Sequence, residues 1–465
     1  MNVAEQIVAQ LVDAGVHRIY GIVGDSLNPI VDAVRKTGGS KKGGIDWIHV
    51  RHEEAAAFAA SAEAQLTGKL AVCAGSCGPG NLHLINGLYD ANRTGAPVLA
   101  IASHIPSVQI GSTYFQETHP DRIFEECSVY NELISSAAQS PRTVNSAIRH
   151  AVGLGGVSVI TLPGDVSDLK AVEHVPTYAP ARPATLAPNP ADIDEAAALL
   201  NKADKVAIFA GAGVEGAHDE VIALADALKA PIGHSLRGKH FIQYDNPFDV
   251  GMTGLLGYGA AAEGMNDADV LVLLGTDFPY DQFLPDTPTI QVDTHAEKLG
   301  RRTDVGLAIH AQVKPFIEAL LPHLRAGRSD SFLKAKIKKH SEIMHAPVGA
   351  YTRNVEKMRP IHPEYAAHLL NETAAKDAIF TADTGMCNVW TARYIDPLGT
   401  RRIIGSLLHG SMANALPMAL GAQVAYPDRQ VVSVSGDGGL SMLLGELITA
   451  KMYNLPVKVV VFNNS

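Results

Sequence analysis

Short apolar, β-branched runs alternate with stretches of helical period from the start of the chain to about residue 170: "HRIYGIVG", "IDWIHV", "KLAVCAG", "APVLAIAS" and "VSVITLPG". Runs without a two-residue alternation read as strands buried on both faces. Helical stretches between them make each connection a crossover, so a parallel sheet covered on both sides is expected. Residues 175–191 ("VPTYAPARPATLAPNPA") then hold five prolines and almost no period, the composition of a linker. The pattern resumes with "ADIDEAAALLNKA", "KVAIFAG", "DVLVLLGT" and "TIQVD", passes a charged helical connection over 326–360, and resumes again with "IHPEYAAHLLNET", "AIFTADTG", "RRIIGS", "QVVSVSGDGG" and "VKVVVFNN". The expected fold class is α/β. Three doubly wound parallel-sheet domains are expected over 1–174, 192–325 and 361–465, the last incomplete on its C-terminal side.

The opening stretch "MNVAEQIVAQLVDAG" places Val3, Ile7, Val8, Leu11 and Val12 at helical spacing, with Asn2 and Glu5 at the spacing of a capping box. It lacks a basic leader, so it reads as an amphipathic first helix and not as a signal peptide. No apolar run approaches the length that spans a bilayer. Cys73, Cys77, Cys127 and Cys387 are too few and scattered for a disulfide framework or a cysteine zinc site, and read as buried free thiols of a reducing cytoplasm. A formal charge of −10 argues against a nucleic-acid partner, and the one dense basic stretch, residues 334–340 ("KAKIKKH"), reads as a solvated helix face.

Candidate chemistry concentrates near the end of the chain, in "GDGGLSMLLGELITAKMYNLPVKVVVFNN", where 24 residues separate Gly438 from Asn463. A strand over 431–435, a helix of about fourteen residues and a strand over 457–462 form a right-handed βαβ unit. Asp437 and Asn464 then lie together at carboxyl ends of strands, where ligands bind in open α/β sheets. One carboxylate and one amide oxygen, both hard donors, suit Mg²⁺, which completes its octahedron with phosphate oxygens and water. Gly438 and Gly439 let the backbone approach a phosphate, and the helix N-terminus favours its charge. In the middle domain Gly211, Gly213 and Gly216 form a nominal G-x-G-x-x-G after a strand. No acidic residue ends the next strand as a NAD-binding unit would require, and a strand-to-helix turn that needs close packing explains the same glycines.

These residues, together with "RHEEAAAFAASAEAQLTGKLAVCAGSCGPGNLHLINGLYDANR", "FQETHP", "GMTGLLGYG", "LLGTDFPY" and "HGSMANALP", occur in an order that resembles the thiamine diphosphate-dependent enzymes along essentially the whole chain. The likeness is to the pyruvate oxidase branch, and within it to pyruvate:quinone oxidoreductases. It implies a pyrimidine-binding first domain, an FAD-binding middle domain and a diphosphate-binding third domain. Glu53 is implied as the carboxyl that shares a proton with the aminopyrimidine of thiamine diphosphate; alone, it would read as a charge balancing a helix N-terminus. Phe115 and Gln116 match substrate-pocket positions. Asp383, Thr384 and Gly385 match a cofactor-contacting loop, and Gly410, Ser411 and Met412 match the segment that holds the pyrimidine bent. Asp437, Gly438, Gly439 and Asn464 would hold the diphosphate, with Asp437 and Asn464 ligating Mg²⁺. For FAD the matching positions are Gly211, Gly213, Thr253, Gly254, Leu255, Leu256, Thr276, Asp277, Phe278, Pro279, Tyr280 and Asp293. Asp293 by itself would read as a strand cap.

The activity implied is oxidative decarboxylation of pyruvate to acetate and carbon dioxide, with electrons passing through FAD to a membrane quinone. An oxygen-reducing oxidase, an acetolactate-synthase-like carboligase and a catalytically silent form remain open beside it. The resemblance also implies a homo-oligomer, a dimer at minimum and a tetramer by analogy, because the pyrimidine and diphosphate ends of the cofactor are held by different subunits. A cytoplasmic protein is expected, docked on the inner face of the cell membrane through a C-terminal segment. The family pattern has a further metal ligand, a backbone carbonyl, two residues beyond Asn464, so the chain is expected to be a truncated form.

Overall fold

The computed structural model of the chain describes residues 1–173, 178–179, 181 and 184–464. The expected end of the first domain, at 174, and linker positions 175–177, 180, 182 and 183 lie outside the described residues. The chain forms two compact units, one made of Met1–Arg182, Ile379–Cys387 and Ile404–Ser465, the other of Pro183–Ala378 and Asn388–Ile403.

The first unit opens as the hydrophobic pattern predicts. Val3–Asp13 is helical, and Asn2 and Glu5 form the reciprocal capping box. Strands β1 (Arg18–Gly21), β2 (Asp46–His49), β3 (Ala71–Gly75), β4 (Val98–His104), β5 (Tyr130–Leu133) and β6 (Val157–Pro163) form one sheet in the order β2-β1-β3-β4-β6-β5. Every pairing in it is parallel. Burial on both faces explains the continuous apolar runs: Val72, Ala74, Leu99, Ile101 and Ile160 enter one core cluster, while Cys73, Ala100, Ala102, Val157 and Val159 enter the other. The chain leaves β1 for β2 on one side and returns to β3 on the other, which makes the carboxyl ends of β1 and β3 a switch point.

The second core cluster is built on an alanine-rich helix. In Glu53–Thr67 the alanines at 55, 56, 57, 59, 60, 62 and 64 are all buried, packed against the Pro79–Thr94 helix and the Ala415–Ala425 helix. Glycines allow the approach: a Cβ on Gly87 would stand 2.5 Å from that of Ala57, and one on Gly421 would overlap the Ala59 carbonyl.

A further sheet is made of β14 (Ile379–Ala382), β15 (Arg402–Gly405), β16 (Val431–Gly436) and β17 (Lys458–Phe462), in the order β15-β14-β16-β17 when numbered along the chain after the middle sheet; all of it but Arg402 and Ile403 falls in the first unit. β14, β16 and β17 are parallel, so Asp383, Asp437 and Asn463 follow strands at one edge. The single helix expected after β16 is instead two, Asp437–Met442 and Glu446–Met452. Gly438, Gly439 and Gly445 within fifteen residues weaken a continuous helix.

In the second unit β7 (Val206–Ala210), β8 (Ile232–His234), β9 (Asp249–Met252), β10 (Tyr258–Gly259), β11 (Val270–Leu274), β12 (Thr289–Asp293) and β13 (Leu307–His310) run β10-β9-β8-β7-β11-β12-β13. All pair in parallel except the short antiparallel edge β9–β10. The basic stretch lies on the Ser331–Ile343 helix, but only partly in solvent: Lys336 is buried and ion-paired to Glu263 and Asp267 at 2.6 and 2.5 Å. Two carboxylates on a packed neighbour neutralise what the run alone presents as a solvated cation. The four cysteines are buried and outside any disulfide, as expected, and no helix among the described residues is long and apolar enough to cross a membrane.

Glycine substitutions separate packing from propensity. Gly421→Ala is expected to lower stability by about 1–3 kcal/mol, because the added methyl meets backbone. Gly153→Ala, at an exposed helical position with nothing near its Cβ, is expected to raise stability by about 0.5–1 kcal/mol. Urea unfolding of the two variants against the parent chain checks both signs.

Candidate active site

Glu53 is the first residue of its helix, with His52 as N-cap accepting from the Glu54 N–H. The Glu53 side chain is only 8 % exposed. Its Oε2 lies 3.0 Å from Nδ1 of His83, and the His83 ring stacks on that of His52 at 4.4 Å. Gly80 makes room for the other oxygen: a Cβ there would stand 3.0 Å from Glu53 Oε1. One turn along the same neighbouring helix, the Asn86 amide donates to Glu54 Oε1 at 2.7 Å and to Ser411 Oγ at 2.8 Å, while its oxygen lies 2.8 Å from His409 Nε2. Asn86 therefore ties the segment after Glu53 to the Gly410–Met412 segment.

That segment is shaped for a turn: Gly410 and Ala413 have φ of 74° and 66°, and the Ser411 N–H donates to Ser406 Oγ at 3.0 Å. Met412 stands 41 % exposed, and its methyl would lie 3.4 Å from a Cβ on Gly438. Asp383 is almost completely buried at the end of β14. Its Oδ1 accepts from the Thr384 N–H at 3.0 Å and from the Asn414 amide at 3.1 Å. Its Oδ2 finds no hydrogen-bond partner among the described residues. A Cβ on Gly439 would overlap that oxygen, so glycine is required there.

At the strand edge Asp437 and Asn464 are exposed. The register, Gly436 opposite Phe462, sets Asp437 beside Asn463 at the ends of adjacent strands, with Asn464 one residue further on. No group of three or more His, Cys, Asp or Glu among the described residues could hold a metal. A magnesium ion would rest here on one carboxylate and one amide, the remaining positions going to phosphate and water. Space for such a ligand exists: nothing lies within 4 Å of a Cβ on Gly436. The unpartnered Asp383 Oδ2, the open glycines and the buried Glu53 fit a diphosphate-bearing cofactor with an aminopyrimidine end.

Of the two substrate-pocket residues, Gln116 (φ 64°) meets the loop after β3: its Oε1 lies 3.3 Å from Cys77 Sγ, and Gly78 is kept small by its backbone. The Phe115 ring is 78 % exposed and is not packed in place.

In the second unit the expected flavin positions gather at the carboxyl edge of β7, β9, β11 and β12. Gly211 and Gly213 donate to Leu274 and Gly275 carbonyls at 2.9 Å, and a Cβ on either would strike Gly275 or Thr276. Close packing of two loops therefore accounts for both glycines without a ligand. Thr276 is itself buried. Asp277 is ion-paired with Arg301 and Arg302, and Asp293 accepts from the His295 N–H at 2.9 Å, a strand cap. Phe278 packs edge-on against Phe209 and Tyr280, and a Cβ on Gly254 (φ 96°) would stand 2.8 Å from its ring. Pro279 and Leu255 are exposed and Leu256 partly so. The buried hydroxyl of Thr253 has no partner among the described residues, the feature of this edge that fits a polar ligand.

Sequence reading missed His83, Asn86 and Asn414. His83, Asn86 and Asp90 recur at three- and four-residue spacing on a helix otherwise packed by Gly, Leu and Ala, a polar stripe that could have pointed to the first two. Asn414 lies inside "HGSMANALP", two residues beyond the Gly410–Met412 positions read from it.

Burial pushes the Asp383 carboxyl up to about 6 from an ordinary 3.8, against hydrogen bonds that pull it down. The folded state then binds this proton more tightly than the unfolded chain. Its contribution is complete below the ordinary pKa and is lost as pH rises through about 6. In metal-free protein, Asp383→Asn is expected to remove that loss, so that its melting temperature exceeds the parent's at neutral pH and the gap closes in acid; scanning calorimetry across pH checks this.

Residues 1–123 match the profile of the thiamine pyrophosphate enzyme N-terminal TPP binding domain, 193–320 that of its central domain, and 383–465 that of its C-terminal TPP binding domain. Three relatives match along nearly the whole chain. YdaP of Bacillus subtilis (strain 168), provisionally named as thiamine pyrophosphate-containing, is 36 % identical over 99 % of this chain and 80 % of its own length. Pyruvate oxidase of Lactiplantibacillus plantarum is 32 % identical over 97 % of this chain and 75 % of its own. The large subunit of acetolactate synthase isozyme 2 of Escherichia coli (strain K12) is 30 % identical over 100 % of this chain and 83 % of its own. With two thiamine-binding domain profiles flanking a central one, and relatives matched along nearly the whole of this chain, the chain belongs to the thiamine pyrophosphate enzyme family.

Proposed function

We propose that the chain oxidatively decarboxylates pyruvate to acetate and carbon dioxide, using thiamine diphosphate, Mg²⁺ and FAD, and hands the electrons to a membrane quinone. The observation that carries the reading is the buried Glu53 carboxyl, held by His83, on a chain that also presents the Asp437–Asn464 strand edge. When bound, thiamine diphosphate supplies the electron sink for decarboxylation and FAD the two-electron acceptor, neither of which a side chain offers.

The protein's own groups then have defined tasks. Glu53 would hold a proton against a ring nitrogen of the pyrimidine, and its burial strengthens that interaction over one in water. Asn86 keeps the Gly410–Met412 segment against the start of the Glu53 helix. Asp437 and Asn464 would hold the metal, and Asp383 Oδ2 has a lone pair available to the cofactor. In the second unit Thr253 and its neighbours would take the flavin. The overall balance is pyruvate plus water to acetate, carbon dioxide, two protons and two electrons.

Pyruvate and an electron acceptor come into the reading from the pyruvate oxidase relative and the likeness of "SCGPGNLHLINGLYDANR" and "FQETHP" to the quinone-dependent branch. A homo-oligomer docked on a membrane belongs to the same reading. The acetolactate synthase relative favours a second one, in which a second ketoacid takes the place of the electron acceptor.

Pyruvate, thiamine diphosphate and Mg²⁺ added to the flavin-loaded protein under anaerobic conditions are expected to bleach the flavin and yield acetate. Unchanged flavin absorbance with acetolactate as product would establish the second reading instead. Glu53→Gln is expected to keep cofactor binding, measured by titration, while flavin reduction slows by about 10²–10⁴-fold; stopped-flow absorbance reads the rate.

A further inference from the structure

Three backbone N–H groups just before Glu53 are held by side chains from the far end of the chain. The Arg51 and His52 N–H groups both donate to Oε1 of Glu446, at 2.8 and 3.0 Å. The His49 N–H donates to the Tyr453 hydroxyl at 2.7 Å, and that hydroxyl donates in turn to the Trp47 carbonyl at 3.1 Å. Glu446 is 1 % exposed, and its Oε2 accepts from the Thr449 hydroxyl at 2.7 Å. Both of its oxygens are therefore used. Burial pushes its carboxyl upward in spite of these bonds, a cost that a purely apolar contact at this place would not carry.

The stretch so gripped is the one that places Glu53. His52 caps the helix, its ring stacks on His83, and His83 holds Glu53 Oε2. A shift of the 51–52 backbone would move the cap, the stack and the carboxyl together. A pure packing residue would need only to fill space, whereas this carboxylate accepts two N–H groups that have no helical partner.

We infer that Glu446 is a positioning residue for Glu53: its carboxylate, reaching from the Glu446–Met452 helix, clamps the Arg51–His52 backbone and thereby sets where the Glu53 carboxyl stands. The inference rests on the reading of Glu53 as the group that works on the cofactor pyrimidine.

The test uses Glu446→Ala, Glu446→Gln and Glu53→Gln in the full chain, with two readouts. The first is hydrogen–deuterium exchange of the Arg51 and His52 amides in cofactor-free protein. The second is turnover of pyruvate by the flavin-loaded protein with thiamine diphosphate, Mg²⁺ and a soluble quinone as electron acceptor, resolved into kcat and half-saturating thiamine diphosphate concentration. For E446A we expect exchange at both amides to quicken at least tenfold and kcat to fall at least tenfold, with half-saturation moving less than threefold. E446Q offers an oxygen to the same two N–H groups and is expected to restore both readouts to near the parent. Exchange unchanged in E446A overturns the inference. So does a loss of kcat, cofactor affinity and melting temperature in parallel that E446Q does not rescue. If E53Q turns over like the parent, the role given to Glu53 has failed and with it the inference, even where the exchange data confirm the clamp. Should E446A not fold, Glu446→Asp decides: lost protection with lost kcat supports the clamp, and parent-like values of both overturn it.

Discussion

The close packing of one alanine-rich helix governs the first unit. Seven alanines of Glu53–Thr67 are buried, and the absence of side chains at Gly87 and Gly421 lets the flanking helices approach its backbone. Small residues lose little side-chain entropy on burial, and close-packed backbones tolerate little displacement. A helix held this way fixes its first residue, Glu53, in space. The flanking helices carry or adjoin the groups that complete the site: His83 and Asn86 lie on one, and Gly410 to Asn414 lead into the other.

Onto that frame the protein places polar groups at a cost. Glu53, Asp383 and Glu446 are all buried, and burial raises the Asp383 and Glu446 carboxyls. Both Glu446 oxygens are hydrogen-bonded, whereas Asp383 Oδ2 has no partner among the described residues. Unpaired polar atoms of this kind cost stability and collect where ligands bind. The second unit makes a contrast. There Gly211, Gly213, Asp277 and Asp293 have internal partners, and Thr253 alone of the expected flavin positions carries a buried orphan atom.

Much of the architecture was legible because it depends on local chemistry repeated along the chain. Apolar runs without alternation marked strands covered on both faces, and the capping box at Asn2 and Glu5 marked a helix start. The two ends of the βαβ unit around Asp437 and Asn464 followed from spacing and the handedness of crossovers. Less was legible wherever a neighbour intervenes. One expected helix after Asp437 became two, and Lys336 left solvent for Glu263 and Asp267. Phe115, beside Gln116 in sequence, stays exposed, since adjacency along a loop does not fix where a ring packs.

The sequence by itself determined the strands that are continuous apolar runs, β1–β4, β6, β7, β11, β12 and β14–β17, and which of their ends carry carboxylates, amides and glycines. These follow from periods, caps and turn residues within a few positions of one another. Only the tertiary structure decided that His83 pairs with Glu53, that Asn86 reaches Ser411, and that Glu446 holds the backbone of Arg51 and His52 across nearly four hundred residues. Those contacts depend on how helices pack around the first sheet. No local pattern records which distant side chain will fill a given place against them.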